Sequence, residues 1–140
     1  KKERRSTAFL AIVSIAIELL IVSVILKPLF MCARPYTLAD IELLIPIPIG
    51  SSFPSGHSAS SFAVAFLLFR ENASYKYLIL FTAFLMAFSR LYVYVHYPSD
   101  VLVGSLIGIV IGECVYRKQV FFIEFFNRCL RKLNLSKYQI

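Results

Sequence analysis

Three stretches of this chain are apolar over lengths that match the hydrocarbon core of a bilayer, and they restrict its fold more than any other feature. They cover residues 7–26, 77–95 and 101–115 with its flanks, close to the ~20 apolar residues that a spanning helix needs. A fourth stretch, residues 58–69, is shorter. Only 16% of the 140 residues are charged and the mean hydropathy is +0.73, so the chain lacks the polar surface of a soluble domain. We predict an all-α, polytopic transmembrane bundle with four spans.

The net charge of +7 would suit a nucleic-acid-binding protein, but the positions of the basic residues indicate a membrane instead. If four spans are threaded from a cytoplasmic N-terminus, twelve of the fifteen Lys and Arg residues fall on the cytoplasmic side, as the positive-inside rule predicts. The other three basic residues and both histidines lie at the outer ends of spans: Lys27, Arg34, Arg90, His57 and His96. We therefore expect a plasma-membrane protein with no nucleic-acid partner, whose polar chemistry faces the extracytoplasmic side.

A basic amphipathic segment follows the last span. Apolar side chains recur at helical spacing, at Phe122, Phe125, Phe126, Cys129, Leu130 and Leu133, opposite the basic Arg128, Arg131 and Lys132. This pattern is typical of a helix that lies in the membrane interface, and a solvated basic tail is the alternative. We divide the chain into a membrane-embedded core, residues 1–116, and a cytoplasmic interfacial tail, residues 117–140.

Residues 89–100, SRLYVYVHYPSD, place charged side chains directly after an apolar run. His96 and Asp100 are four residues apart, so they face each other on a helix or a turn that enters one. A carboxylate bonded to one ring nitrogen fixes the tautomer that leaves the other nitrogen with a free lone pair. His96 is therefore a candidate nucleophile, and Arg90 supplies a cation in the same cluster.

Residues 51–62, SSFPSGHSASSF, form a second cluster, in which a helix begins after Pro54 and Ser55. Gly56 allows a backbone to approach a ligand closely, and the unpaired N–H groups at a helix N-terminus bind anions. His57 beside them can donate or accept a proton. The pattern indicates an anion site with an acid–base group.

The third cluster, residues 27–35, closes the first span with two cations, Lys27 and Arg34, seven residues apart. Together the clusters hold three cations, a helix N-terminus and two histidines. That set suits a tetrahedral dianion such as phosphate, whose transition-state charge is spread over equatorial oxygens. The sequence therefore predicts phosphoryl transfer as the reaction class.

The three clusters together resemble the signature of the type 2 phosphatidic acid phosphatase and haloperoxidase superfamily. That signature reads Lys, six residues, Arg-Pro; then Pro-Ser-Gly-His; then Ser-Arg, five residues, His, three residues, Asp. The matching residues are Lys27, Arg34, Pro35, Pro54, Ser55, Gly56, His57, Ser89, Arg90, His96 and Asp100. The match is complete in order and spacing, and the resemblance runs from about residue 20 to residue 112.

The resemblance implies a role for each matching position. His96 would be the nucleophile that forms a phosphohistidine, Asp100 would orient it, and His57 would be the general acid for the leaving alcohol and then the base for water. The residues that would bind the phosphate are Lys27, Arg34, Ser55, Gly56 through its backbone, and Arg90. Neither a metal nor a cofactor is expected, because cationic side chains take that place.

The resemblance also implies an architecture. Membrane members of this family resemble six-span bundles with the signature on the last four helices, whereas this chain shows four spans. We expect two further N-terminal helices outside this chain, and a four-span protein is the alternative. The oligomeric state stays open.

Two features favour a lipid phosphate as the substrate. The helix over residues 56–70 is ~22 Å long, shorter than the ~30 Å hydrocarbon core, so its catalytic end is expected near the headgroup plane. Residues 36–53, YTLADIELLIPIPIGSSF, are too apolar for a solvated loop and are expected on the membrane. Phosphatidylglycerol phosphate, phosphatidic acid and undecaprenyl pyrophosphate all fit, and we favour the first or the last, in a bacterial enzyme.

Other functions are weaker fits. A membrane anion transporter or channel could use Lys27, Arg34 and Arg90, but it would not need a histidine and an aspartate four residues apart. The oxidising haloperoxidases of the family are soluble, unlike this chain. Glu18, in the middle of the first span, is either a functional intramembrane carboxyl or a protonated or hydrogen-bonded packing residue, and we favour packing.

Overall fold

The computed structural model describes residues 2–38, 43–133, 135 and 139–140, and all regular structure within them is helical. The elements are α1 (Lys2–Glu18), a π-helical segment (Leu19–Leu26), α2 (Lys27–Phe30), a 3₁₀ turn (Pro35–Leu38), α3 (Gly56–Arg70), α4 (Lys76–Tyr92), α5 (Pro98–Arg117) and α6 (Gln119–Lys132). The prediction of an all-α chain is confirmed.

The first three elements form one continuous helical rod. Pro28 has no N–H group and cannot donate to the carbonyl one turn earlier, and the helix is π-helical over the preceding Leu19–Leu26. The rod ends at Met31, whose backbone is left-handed at φ 46°. Lys27 therefore lies at the far end of the rod, one turn before the chain leaves the helix.

Two largely helical stretches are long and apolar enough to cross a membrane, judged by length and composition: Arg4–Leu38, with 35 residues, which runs from the rod into the 3₁₀ turn, and Pro98–Arg117, with 20. Helices α3 and α4 have 15 and 17 residues, which is ~22 and ~26 Å at 1.5 Å per residue. Both are shorter than the ~30 Å hydrocarbon core. Within the described residues, two of the four predicted spans thus meet this criterion.

Helix α3 lies at the centre of the bundle and packs against α1, α4 and α5. The side chains that it buries are small or apolar: Ser58, Ala59, Ala63, Ala65 and Leu67. The main core cluster joins Ala63 and Leu67 to Leu10 of α1 and to Ile111 and Val115 of α5. Three helices that are distant in sequence therefore share one core.

The contact between α3 and α5 is unusually close because α5 presents glycines at every fourth position. Gly104, Gly108 and Gly112 lie on one face of the helix, and a Cβ added at any of them would meet the α3 backbone or the residues just before it. At Gly108 it would collide with the carbonyl oxygen of Ala59 and lie 2.9 Å from the amide nitrogen of Ala63. Small residues at such spacing let two helix backbones approach each other.

One face of helix α6 packs against the bundle. Phe126 stacks on Phe9 of α1 with ring centroids 4.4 Å apart, and Leu130 is buried. Phe121 and Phe125 stay exposed. The predicted tail thus packs partly on the core, while an apolar surface remains outside; its position in a membrane interface stays a prediction.

We expect Gly108→Ala to lower the free energy of unfolding by about 1–3 kcal/mol, the usual cost of overpacking, because the new methyl group meets rigid backbone atoms. Thermal unfolding in detergent would measure this. Val110→Ala is the matched control, since Val110 is 60% exposed on the same helix. Equal stability of the two variants would contradict the close α3–α5 contact.

Candidate active site

Five of the predicted site residues line a single cavity of about 310 Å³: Lys27, Arg34, His57, Arg90 and His96. The rest of its wall is apolar and comes from Ile45, Pro46, Pro48, Ile49 and Val95. The three sequence clusters therefore meet, and they bring three cations and both histidines of the chain around one space.

The ends of the helices place these side chains. Lys27 begins α2, His57 is the second residue of α3, and Arg90 lies in the last turn of α4. The turn between α4 and α5 carries His96, and the left-handed backbone of Tyr94, with φ 58°, reverses the chain there. Helix α5 then starts at Pro98, a residue suited to the first helical position.

His96 and Asp100 face each other as the spacing predicts. The His96 Nδ1 and Asp100 Oδ2 atoms are 3.5 Å apart, and both side chains are buried. This distance is longer than a hydrogen bond, and Nδ1 has no other partner among the described residues. The two groups are therefore adjacent, while the hydrogen bond between them is not closed.

The environment of His96 favours its neutral form. Burial, and secondly the Arg34 cation nearby, lower the pKa of the His96 imidazole to about 4. A neutral imidazole at pH 7 holds a free lone pair, which a nucleophile needs. Because Nδ1 faces Asp100, the free lone pair belongs to Nε2.

The two arginines of the cavity have different partners. Arg34 is buried, and each of its three nitrogen atoms donates to backbone carbonyl oxygens. Arg90 is half-buried, and its Nε donates to Ser89 Oγ at 3.2 Å. Within the described residues, the guanidinium of Arg90 therefore makes fewer hydrogen bonds to the protein than that of Arg34.

Ser55 and Gly56 begin α3 and are not part of the cavity wall. The Ser55 Oγ caps the helix by accepting from Ser58 N at 3.4 Å and from Ser58 Oγ at 3.0 Å. Its backbone N–H donates to Asp100 O at 3.0 Å. Ser55 thus joins the start of α3 to the start of α5.

Glu18, the last residue of α1, lies close to Gly56. Its side chain is 2% exposed, and a Cβ added at Gly56 would lie 3.5 Å from Glu18 Oε1. That oxygen has no hydrogen-bond partner within the described part of the chain. The interpretation of Glu18 as a packing residue agrees with its burial, but this oxygen is not hydrogen-bonded.

Ser52 is the site residue that sequence reasoning missed. It is fully buried, and its Oγ donates a hydrogen bond to Asp100 Oδ2, which also accepts from Tyr97 N at 2.9 Å. Ser52 lies 48 residues from Asp100 in the chain, and no local pattern distinguishes it from its neighbours.

In the residues described, no three His, Cys, Asp or Glu side chains group as metal ligands would.

We expect the His96 ring to titrate near pH 4, because burial and the Arg34 cation disfavour its protonated form. The chain has two histidines, so His57→Asn leaves His96 as the only one, and its ring nitrogen chemical shifts can be followed by NMR in detergent. A peptide of residues 91–97 is the control and should titrate near ~6.5. A midpoint near that value in the folded protein would contradict the assigned environment.

Comparison with known proteins extends the resemblance. The PAP2 superfamily model matches residues 7–123. Over 80 residues the chain is 38% identical to the bacitracin transport permease protein BcrC of Bacillus licheniformis, covering 57% of this chain and 39% of that protein. Over 98 residues it is 29% identical to the undecaprenyl-diphosphatase BcrC of Bacillus subtilis (strain 168), covering 70% and 51%.

A third relative is the decaprenylphosphoryl-5-phosphoribose phosphatase of Mycobacterium tuberculosis, 37% identical over 94 residues, which covers 67% of this chain and 51% of that protein. The chain spans about half or less of the length of these three relatives. No solved structure matches it. Because the family model covers most of the chain, including all three clusters of the signature, the chain belongs to the PAP2 superfamily.

Proposed function

We propose that this chain carries the active site of an integral membrane phosphatase that hydrolyses lipid phosphates or pyrophosphates. The cavity is the observation that carries the proposal: three cations and two histidines surround a space of about 310 Å³. Cations directed at one space favour the charge that develops on a transferring phosphoryl group. Membership in the PAP2 superfamily supports the same reaction.

In the first step, the phosphate of the substrate lies between Lys27 and Arg90. Nε2 of His96 attacks phosphorus, an N–P bond forms, and the bond to the leaving oxygen breaks. His57 donates a proton to that oxygen, which leaves as an alcohol or a lipid phosphate. The His96 ring gains positive charge as the N–P bond forms, and the Asp100 carboxylate beside Nδ1 stabilises it.

In the second step, water cleaves the phosphohistidine. His57, now neutral, takes a proton from the water as its oxygen attacks phosphorus. The N–P bond breaks and inorganic phosphate leaves, which returns His96 to its neutral form. Arg34, Ser55 and the Gly56 backbone are the other proposed phosphate ligands; the last two would act through the partial positive charge at the start of α3.

In this scheme cationic side chains stabilise the charge on the phosphoryl oxygens, as a metal ion does in other phosphatases. Lys27, Arg34 and Arg90 line the cavity together, and they can neutralise the phosphate without a metal ion. We therefore propose a metal-independent enzyme that needs no cofactor.

The apolar rim of the cavity supports a lipid as the substrate. Ile45, Pro46, Pro48 and Ile49 form part of its wall, and Ile49 is 97% exposed. Residues 39–42, in the same predicted membrane-lying segment, are outside the described residues. Among the candidates we favour undecaprenyl pyrophosphate over phosphatidylglycerol phosphate and phosphatidic acid, because two relatives are named for polyprenyl phosphate substrates.

The proposed active site faces the extracytoplasmic side of the plasma membrane. The distribution of basic residues supports this orientation, with residues 117–140 as a cytoplasmic interfacial tail. An anion transporter is the alternative function. It would not need a neutral histidine next to a buried carboxylate, which is why we favour the phosphatase.

We expect the protein to release phosphate from undecaprenyl pyrophosphate in detergent with excess EDTA. His96→Ala should lower kcat by at least ~10⁴-fold because it removes the nucleophile. His57→Ala should be slow but should accumulate acid-labile, base-stable phosphate on the protein, since a pyrophosphate leaves with little acid assistance. Rapid-quench labelling with terminally labelled substrate measures both effects.

Phosphatidylglycerol phosphate and phosphatidic acid should be assayed in the same way. The relative rates of phosphate release from the three lipids identify the preferred substrate. Near wild-type hydrolysis by His96→Ala would overturn the nucleophile assignment. Activity that EDTA abolishes and a divalent metal restores would overturn the metal-free scheme. Phosphate uptake into vesicles without hydrolysis would support the transporter instead.

The native cysteines test the topology. Cys32, which follows α2, and Cys129, on α6, are both exposed free thiols. In intact cells a membrane-impermeant thiol reagent should label a variant that keeps only Cys32, whereas one that keeps only Cys129 should react only after permeabilisation. The reverse labelling pattern would overturn the orientation.

A further inference from the structure

Residues 49–52 form a short segment, which we call the strap. Two sets of hydrogen bonds fix the strap to the rest of the site, and the first set comes from Arg34. Its Nε donates to Gly50 O at 3.1 Å, and its Nη2 donates to Ser51 O at 3.2 Å and to Ile49 O at 3.4 Å. One guanidinium therefore holds three successive carbonyl groups.

The same guanidinium also reaches the loop that carries the proposed nucleophile. Arg34 Nη1 donates to Val95 O at 3.0 Å, and Val95 directly precedes His96. Four of the five N–H donors of Arg34 are engaged in this way. At most one is left for a phosphate, although the guanidinium lines the cavity.

The second set of hydrogen bonds involves Ser52, the last residue of the strap. Its Oγ is hydrogen-bonded to Asp100 Oδ2, and the side chain is fully buried. Ser52 N donates to Cys32 O at 2.9 Å, and Cys32 N donates to Ser51 Oγ at 3.0 Å. Gly50 adopts φ 80°, a left-handed backbone that glycine accepts without strain, so the turn of the strap is compatible with all of these bonds.

We propose that the strap positions the His96–Asp100 pair, with Arg34 and Ser52 as positioning residues: Arg34 ties the strap to the loop of His96, and Ser52 ties it to Asp100. This inference rests on the proposed function, in which His96 and Asp100 act together. It assigns a role to Ser52, and it gives Arg34 a supporting role in addition to its proposed contact with the phosphate.

The physical reason lies in the 3.5 Å separation of His96 Nδ1 and Asp100 Oδ2. The carboxylate is held by Ser52 and by the Tyr97 N–H, not by the histidine. It is therefore already oriented when positive charge develops on the imidazole, and the carbonyl of Val95 is held at a fixed distance from the strap. A site that is pre-organised in this way spends no free energy on reorganisation during the reaction.

A double-mutant cycle tests the role of Ser52. Ser52→Ala should lower kcat for the lipid pyrophosphate by about 10- to 100-fold, as expected for a lost hydrogen bond to a charged group, with KM within about threefold of wild type. In an Asp100→Asn background, the same change should cost less than about twofold, because Ser52 acts through Asp100. Ser105→Ala is the matched control, since the Ser105 hydroxyl donates only to Val101 O within α5, and it should keep the wild-type kcat.

An unchanged kcat in Ser52→Ala overturns the role of Ser52. So does an equal loss in both backgrounds, which is what a general structural defect would produce. Wild-type protein that releases no phosphate from any lipid of the panel would refute the proposed function itself. Normal wild-type turnover with an insensitive Ser52→Ala would refute only the strap.

A comparison of Arg34→Lys with Arg90→Lys tests the other set of hydrogen bonds. Both variants keep the charge, but lysine cannot hold carbonyl groups in the four directions that Arg34 does. Arg34→Lys should lower kcat at least about tenfold. Because Arg34 and Ser52 act through the same strap, adding Ser52→Ala to that variant should lower kcat by less than about threefold more. In an Arg90→Lys background, Ser52→Ala should keep its full effect of about 10- to 100-fold. A full effect of Ser52→Ala in both backgrounds would overturn the positioning role of Arg34; if Arg34→Lys does not fold, the Ser52 cycle decides.

Discussion

The close packing of α3 on α5 is the contact on which the rest of the site depends. Glycines of α5 let its backbone approach that of α3, and the Ser55 N–H donates to Asp100 O where the two helices begin. The helix starts are therefore side by side. Because His57 follows the start of α3 and His96 precedes the start of α5, the two histidines reach the same cavity. A wider helix–helix distance would separate them.

The second constraint is electrostatic. Lys27, Arg34 and Arg90 share one small cavity with an apolar rim, where like charges repel and hydration is poor. Part of the cost is offset by backbone carbonyls around Arg34, and the rest favours an anionic ligand. Burial, together with the nearby Arg34 and Lys27 cations, lowers the pKa of the His96 imidazole and keeps the ring neutral. The cavity thus combines an excess of positive charge with a neutral imidazole, as the proposed reaction requires.

Much of this could be read from the sequence because it depends on local patterns. Apolar lengths predicted a helical chain, and the four-residue spacing of His96 and Asp100 predicted that they face each other, as they do. The glycine spacing in VGSLIGIVIG is another local pattern, typical of helices that pack closely. The sequence predicts a short α3 and a full-length span over residues 77–95. In the structure α4 begins at Lys76 and ends at Tyr92, because the last three residues of that apolar run belong to the turn before α5.

The sequence by itself determined the kinds of residues, their local spacing and the ends of helices at which they lie, since these follow from periodicity and composition. Tertiary structure alone decided which atoms meet. Ser52 contacts Asp100 across 48 residues, and Arg34 binds carbonyls of residues 49–51 and of Val95. Ser55, which the resemblance suggests as a phosphate ligand, accepts hydrogen bonds from Ser58 at the start of α3, a contact that tertiary structure and local helix geometry set together; its role toward phosphate stays a prediction. Backbone carbonyls are the same at every position and hydroxyls are common, so their partners depend on how the helices pack and not on any pattern in the chain.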